Sequence, residues 1–575
     1  MLSIIAVMSV IGACGREVLS TPTLEPTQQE PTSLPVTEPE PTLKPTETPE
    51  SSRIVLAVGW DGDLIDCLNP AACSKGWPAW DLLYDSLVGW GAVAEGEVIP
   101  RLAEDWQSEP GSMQISFQLT DLEGVTFHDG TPLTAEDVAW SLNYYAQNEQ
   151  LSWLLGTTVG SGFGAEVMEE STVSLRLIEP INSNVLLSYL TNVYILPSHI
   201  WGEYEGASIS DFENLEAIGS GPYRLVDWVP GEYIAFRAHE HYHQGSPPVD
   251  EIIVQFFPDS GSLLESLARG GIDLVSSLRP RQVEPLVEDE ALLLAEKSPI
   301  NGYMLVFNLW EEGIQHSALL DRVVRRAIAH AIDKEELVDI VEAGDAVPAD
   351  SVWDGGARFD RWAHPDLSAD EFDLDQAGEM LEAGGYRDAD EDGVREVWAG
   401  SGEPLNFRLA FSTRTPEPGL AAGVISDWLQ EIGIEVELQG LEEDQLIQQM
   451  RDGEYDLAID RSDLSWDPDL ALYRMTSWAL DANVNHSGYS DVELDSMYLA
   501  QHYALSESER RDYIHIAQEI IHADVPWIQL YHYQAFDAVR HDRFRLTRTD
   551  TYGQIWGWYG IWGFESVGGG SAAGD

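Results

Sequence analysis

The chain has 575 residues, 44% of them hydrophobic, and its 99 acidic against 31 basic residues give a net charge of −68. Charge of that sign repels phosphate and excludes a nucleic-acid partner, and its spread along the whole chain describes a solvated surface better than a site for one cationic ligand. Beyond the N-terminal leader no apolar run reaches membrane-spanning length, and about 520 residues remain for several ordinary cores.

Leu2 to Ile11 form an apolar run as long as a secretory signal core, ended by Ile11-Gly12-Ala13-Cys14. That ending resembles a bacterial lipobox, which implies a signal peptide over 1–14 and a lipid on the Cys14 sulfur; a cleaved ordinary signal is the alternative. No Lys or Arg precedes the run, so the true translation start is expected upstream. Residues 15–52 read as a tether. Between Thr21 and Glu50 stand eight Pro and eight Thr with no aromatic residue, too little apolar area to offset the entropy of ordering. Cys67 and Cys73, in "DCLNPAACSK", are expected to form a disulfide around Asn69-Pro70 in an oxidising compartment; with no histidine beside them they make a poor zinc site.

The body opens with a strand, "RIVLAV" from Arg53. "GEVIPRLAEDWQ" reads as a loop into a short helical turn, and "MQISFQL" as an alternating strand. In "GVTFHDGTPLTAEDVAWSLNYY", Asp129-Gly130 turns the chain, Thr134 caps a helix, and Val138, Leu142 and Tyr145 share its apolar face. "AIGSGPYRLVDWVPGEYIAFRA" is a Gly-rich turn with two strands, and "VDEIIVQFFPDSGSLLESLARGGIDLV" is strand, helix, strand. After "NGYMLVFNLW" come the helices "DRVVRRAIAHAI", "KEELVDIV" (capped by Asp333) and "DLDQAGEMLEAGGY", the last stopped at Gly384-Gly385. "LNFRLAFST", "GVISDWLQEIGIEVELQG" and "EYDLAIDRSDL" give strand, helix–strand and strand. "SERRDYIHIAQEIIHAD" is a long helix ended before Pro526, and 567–575 a tail. The class is mixed α/β.

The order and spacing of "VIPRLAEDW", "GVTFHDGTPLTAEDVAWSL", "IGSGPYRL", "RVVRRAIAHAID" and "EYDLAI" are similar to those of bacterial extracellular solute-binding protein family 5, the peptide-type periplasmic binding proteins of ABC importers. The resemblance runs from about Arg53 to Phe544. It implies a two-lobed periplasmic-binding-protein-like fold, class II with an extra subdomain, and a cleft between the lobes. The first lobe would hold 53–301 with 531–566 returning to it, the second 302–530, with crossings near Asn301–Asn308 and Val525–Tyr533. Also implied are capture of a peptide or an oligosaccharide by lobe closure, delivery to permease subunits served by a separate ATPase, no catalysis and no cofactor. Implied ligand-binding residues are Trp60, Asp61, Tyr303, Asp463, Trp466, His486 and Tyr489. Asp463 lies nearest the carboxylate that meets a ligand's amino terminus in relatives, although Arg461-Ser462 replace the usual Gly-Trp. The implied location is extracytoplasmic, held to the membrane by the lipid alone.

Two further patterns suggest other chemistry. His239, Glu240 and His243 satisfy H-E-x-x-H, the pattern of a zinc hydrolase, but that site needs a helix and the preceding "EYIAFRA" alternates as a strand. Asp388, Asp390, Asp392 and Gly393 repeat the opening of a calcium loop, whose bidentate Glu is replaced by Ala399; an acidic turn is the plainer reading.

Overall fold

The computed structural model describes residues 54–60, 67–71, 77–91, 98–108, 111–147, 164–177, 179–204, 212–310, 316–351, 353, 361–367, 370–397, 402–463, 467–481, 484–547 and 560–567. Two long strands, Leu292–Phe307 and Trp527–Arg540, pair antiparallel at the centre of an eleven-stranded mixed sheet among the described residues. Beyond the first lie Leu457–Asp463, Asn406–Ser412 and Glu435–Leu441. Beyond the second lie Leu274–Leu278, Val55–Trp60, Glu251–Phe256 and the hairpin Tyr233–Ala238/Tyr223–Val229, and the eleventh strand, Ala346–Pro348, pairs with the second long strand at Tyr531–Tyr533 off this path. Each flank contains a parallel pair, Val55–Trp60 with Glu251–Phe256 and Asn406–Ser412 with Glu435–Leu441; the helix Pro416–Glu431 makes the second crossover.

The apolar residues gather into four clusters among the described residues, the two most extensive lying one on each flank. One holds Leu56, Val58, Phe236, Ile252 and Val254 together with Val539, Phe544 and Phe564 from the end of the chain. The other holds Leu305, Phe307, Ile328, Leu337, Phe407, Leu409 and Tyr531. A four-stranded antiparallel sheet (Ala103–Ser108, Gln114–Leu119, Thr172–Arg176, Gly164–Glu169) adds Ala103, Phe117 and Leu175 to the first core. This is the expected two-lobed α/β architecture. The four-stranded sheet supplies the extra subdomain.

"LAEDWQ" forms a strand and not the helical turn expected of it. Pairing of Ala103 with Leu119 and of Trp106 with Phe117 satisfies its backbone, so the sheet overrides the local helix preference of Leu-Ala-Glu. Asp321, Asp333, Asp373 and Ser506 cap their helices through side-chain oxygens that accept backbone N–H groups.

The most patterned segments of the sequence are joints of the scaffold. His128, of "TFHDG", accepts the Gly219 N–H at Nδ1 (3.2 Å), and its Nε2 lies 3.0 Å from the Gly221 carbonyl. A Cβ on Gly219 would lie 2.0 Å from the Leu83 carbonyl oxygen, and one on Gly221 2.4 Å from that of Leu82, so "GSGP" requires its glycines for close approach. Arg101, of "IPRLA", is buried with Nε 2.9 Å from Asp85 Oδ1 and Nη1 2.9 Å from Asp81 Oδ1. Arg325, of "RVVRRAIAHAI", donates to the carbonyls of Leu319, Asp524 and Val525.

The His128 joint requires a neutral imidazole, because Nδ1 accepts and Nε2 donates. Burial accordingly pushes its pKa from 6.5 down to about 3. A depressed folded-state pKa means that the unfolded chain takes up the proton first, so stability falls as pH drops below 6.5. Between pH 6.5 and 4.5 His128 alone should cost roughly 2–3 kcal/mol. Urea unfolding at several pH values should show a flatter acid slope for His128→Asn than for the native chain; parallel slopes would contradict this.

Candidate functional site

Between the cores the central strand pair loses register. Lys297 stands opposite Ala535 and Asn301 opposite Tyr533, so residues 298–300 face the single residue 534. Pro299 has no N–H to give the ladder. The Gln534 N–H turns away to the Asp345 carbonyl (3.3 Å). The break lies beside the Asn301–Asn308 and Val525–Tyr533 segments at which the crossings are expected.

Both sides of the break are clamped. On the first-lobe side buried Lys297 reaches Asp537 Oδ1 (3.4 Å), Ser276 Oγ (3.3 Å) and Ser277 Oγ (3.2 Å), while the Ser277 N–H donates to Asp537 Oδ1 (2.9 Å). On the second-lobe side the Tyr303 ring packs 5.7 Å from Tyr531 and 5.8 Å from Tyr533. Gly302 must be glycine there, since a Cβ would lie 2.2 Å from the Tyr531 carbonyl oxygen and 2.6 Å from His532 Nδ1. Arg279, on the turn after Leu274–Leu278, reaches over the break. Its guanidinium carbon lies 3.3 Å from the Tyr533 ring centroid, and it forms an ion pair with Glu342 of the helix Lys334–Glu342. Buried Glu417 adds a second negative charge felt by Arg279. Burial pushes the Glu342 carboxyl up, an effect that Arg279 offsets only in part. Burial also pushes the Tyr303 hydroxyl up to about 12.

Of the residues expected to meet ligand, Tyr303 and Asp463 come together as neighbours in register: Tyr303 pairs with Arg461, and Asp463 with Asn301 at the break itself. Trp60 ends its strand in the first lobe, its carbonyl accepting the Phe257 N–H at 2.8 Å. Tyr489 is buried in the second core with its hydroxyl donated to Asp524 Oδ2 (2.7 Å). The His486 carbonyl accepts from Tyr455 (2.7 Å) and from Trp310 Nε1 (3.3 Å). Asp61, Trp466, Cys14 and Cys73 lie outside the described residues; Cys67 is disulfide-bonded.

Sequence reasoning missed Arg279, Glu342 and Tyr533. Glu342 left a trace, for it continues the stripe Val338, Val341 at helical spacing, where a carboxylate is out of place without a partner. Tyr531 and Tyr533 share one face of a strand by their alternation. Arg279 left none.

The zinc-hydrolase pattern does not assemble. The strand Tyr233–Ala238 ends before His239, which faces the Gly221 carbonyl; His243 Nε2 lies 2.9 Å from Asp85 Oδ2 inside the Arg101 network. The acidic turn does gather: ligand atoms of Asp388, Asp390, Asp392 and Glu396 lie within 4.8 Å of one another. Glu396 stands at the ninth position counted from Asp388, not at the twelfth, where a calcium loop carries its glutamate. Asp388 and Asp392 already accept backbone N–H groups of the turn, including Gly393 to Asp388 Oδ2 at 2.9 Å.

Two lobes laid on one interrupted strand pair describe a two-lobed binding-protein fold. The family described as bacterial extracellular solute-binding proteins, family 5 Middle, matches residues 97–482, and the chain belongs to it. Probable di/tripeptide-binding protein 5 of Pseudomonas aeruginosa (strain UCBPP-PA14) is 27% identical over 492 residues, 80% of this chain and 86% of its own. NikZ from Campylobacter jejuni, in complex with Ni(L-His), superposes with a TM-score of 0.75 at 21% identity, over 89% of this chain and 99% of its own. AppA from Bacillus subtilis, an oligopeptide-binding protein in complex with a nonapeptide, gives 0.72 at 22% identity, over 90% and 100%. The protein is accordingly a solute-binding protein and not an enzyme.

Glu342→Gln removes the buried counter-charge of Arg279 while keeping the side chain's shape. It should lower stability by about 2–3 kcal/mol in urea unfolding, because the guanidinium stays buried beside Tyr533 without its carboxylate. An unchanged midpoint would mean that the pair is dispensable.

Proposed function

We propose that this protein captures peptides outside the cytoplasm by lobe closure and hands them to the permease subunits of an ABC importer, with a lipid on Cys14 and the 15–52 tether holding the body near the membrane. The observation that carries the reading is the register break at 298–300 and 534, which lies between the main apolar core of the first lobe and that of the second. Peptide is favoured by the names of the relatives and by the position of Asp463, whose backbone pairs with Asn301 at that level. A carboxylate there suits a ligand's ammonium group, and an extended peptide suits the backbone groups of a cleft. Trp60, Asp61, Tyr303 and Trp466 remain the proposed walls, and Cys67–Cys73 the proposed disulfide.

The test is native mass spectrometry of the purified chain in an equimolar mixture of tripeptides to nonapeptides, maltodextrins and Ni(L-His). One peptide per chain is expected, and Asp463→Asn should weaken a free-amine peptide roughly tenfold or more while sparing its N-acetylated form. Retention of maltodextrin or the nickel complex in place of peptide would overturn the reading.

A further inference from the structure

Away from the central strands the two lobes meet at a second place, and its chemistry is unlike the scattered contacts of two surfaces in passing. The helix Ser183–Leu190 belongs to the first core through Val185, Leu186 and Leu190. At its end the Tyr189 hydroxyl donates to Asp469 Oδ2 at 2.6 Å, and Asp469 belongs to the helix Pro468–Tyr473 of the second lobe. The socket is prepared from the second-lobe side alone. Asp469 Oδ1 already accepts from Gln501 Nε2 (2.6 Å) and lies 2.8 Å from His502 Nδ1. Arg510 holds Gln501 Oε1 (3.0 Å) and forms an ion pair with Asp467, whose carboxylate caps the Asp469 N–H at 2.9 Å. Asp469, Gln501, His502 and Arg510 are all at most 1% exposed. On the second-lobe side Asp469 Oδ2 receives the Tyr498 hydroxyl at a long 3.4 Å, and the short bond to that oxygen comes from the Tyr189 phenol of the other lobe. Beside it the Asn182 N–H donates to the His502 carbonyl (2.9 Å), and its side-chain amide to the Ala504 carbonyl (2.9 Å).

We propose that Tyr189, docking on Asp469 with Asn182 beside it, is the latch that holds the lobes closed and so sets solute affinity without touching the solute. Opening the lobes at this contact withdraws the phenol and leaves Asp469 Oδ2 with the longer Tyr498 contact and water. A hydrogen bond to a charged group in such surroundings is among the stronger single contacts that one hydroxyl can make. The bound solute gains from any bias toward the closed state, because a binding-competent form that is populated in advance raises apparent affinity in proportion.

The inference rests on lobe closure in the proposed function but not on the identity of the solute. Its test is therefore done on the full chain with no ligand added. The Asn182 amide is a direct reporter, since its acceptor lies in the other lobe. The Leu186 amide, which donates to the Asn182 carbonyl at 3.1 Å, serves as control within the first lobe. By hydrogen exchange, Tyr189→Phe, which keeps the packed ring, should speed exchange at Asn182 roughly tenfold to hundredfold and leave Leu186 unchanged. Asn182→Ala, read at the same amide, should act in the same direction. An Asn182 amide that exchanges equally fast in the native chain and in Tyr189→Phe, or is unprotected in the native chain, would overturn the latch. Equal acceleration at Leu186 would overturn it too, by making Tyr189 a residue of the fold alone. Failure to capture peptide would leave this result standing.

Discussion

The antiparallel pairing of Leu292–Phe307 with Trp527–Arg540 is the constraint on which the rest depends. Both flanks of the large sheet are laid on that pair, so each lobe inherits its orientation from one end of it. A hydrogen-bonded ladder resists sliding and tolerates bending, and bending concentrates where bonds are missing. Here three residues oppose one, proline removes a donor, and the Gln534 N–H is taken by Asp345. The two sets of contacts beside the break then differ in purpose. Lys297 with Asp537 keeps the first lobe stiff up to its edge, whereas Arg279 reaches from the first lobe across it to Tyr533 and Glu342 of the second.

Those clamps also explain how so acidic a chain is arranged. Cations are few, and several of them are inside: Arg101, Arg325, Arg510 and Lys297 are at most 4% exposed. Arg101, Arg510 and Lys297 supply the cation beside buried Asp85, Asp467 and Asp537, and Arg325 donates to a set of carbonyls. The surface is left with a large excess of carboxylates, which water and salt screen at little cost. The charge of the chain is thus a property of its exterior and carries no information about the solute.

Much of the fold was legible because local and global preferences agree. Helices with an Asp or Ser before an apolar stripe began where expected, and alternating strands flanked by turns fell into the sheet. The segment "LAEDWQ" was misread because its strand state comes from Gln114–Leu119, a partner that local pattern does not weigh. Motif order identified the family, yet the motif residues proved to be joints, such as His128 on Gly219 and Arg101 on Asp85. Residues at the break were harder to find. Tyr303 was reached through resemblance, while Arg279 meets Glu342 across 63 positions of sequence, and nothing in either neighbourhood announces the other. Tyr489 shows the opposite difficulty: an aromatic in the right segment, with its hydroxyl already engaged by Asp524.

The central claim is that the lobes move as two bodies about the break. Small-angle scattering of Tyr189→Phe, in which the solute-free lobes are released to open, with and without the solute it retains, tests this most directly. Both curves should be fitted by residues 54–297 with 535–567 as one rigid body and 301–533 as the other, related by a single rotation about 298–300 and 534. Identical curves in the two states, or a fit that requires deformation inside either body, would contradict it.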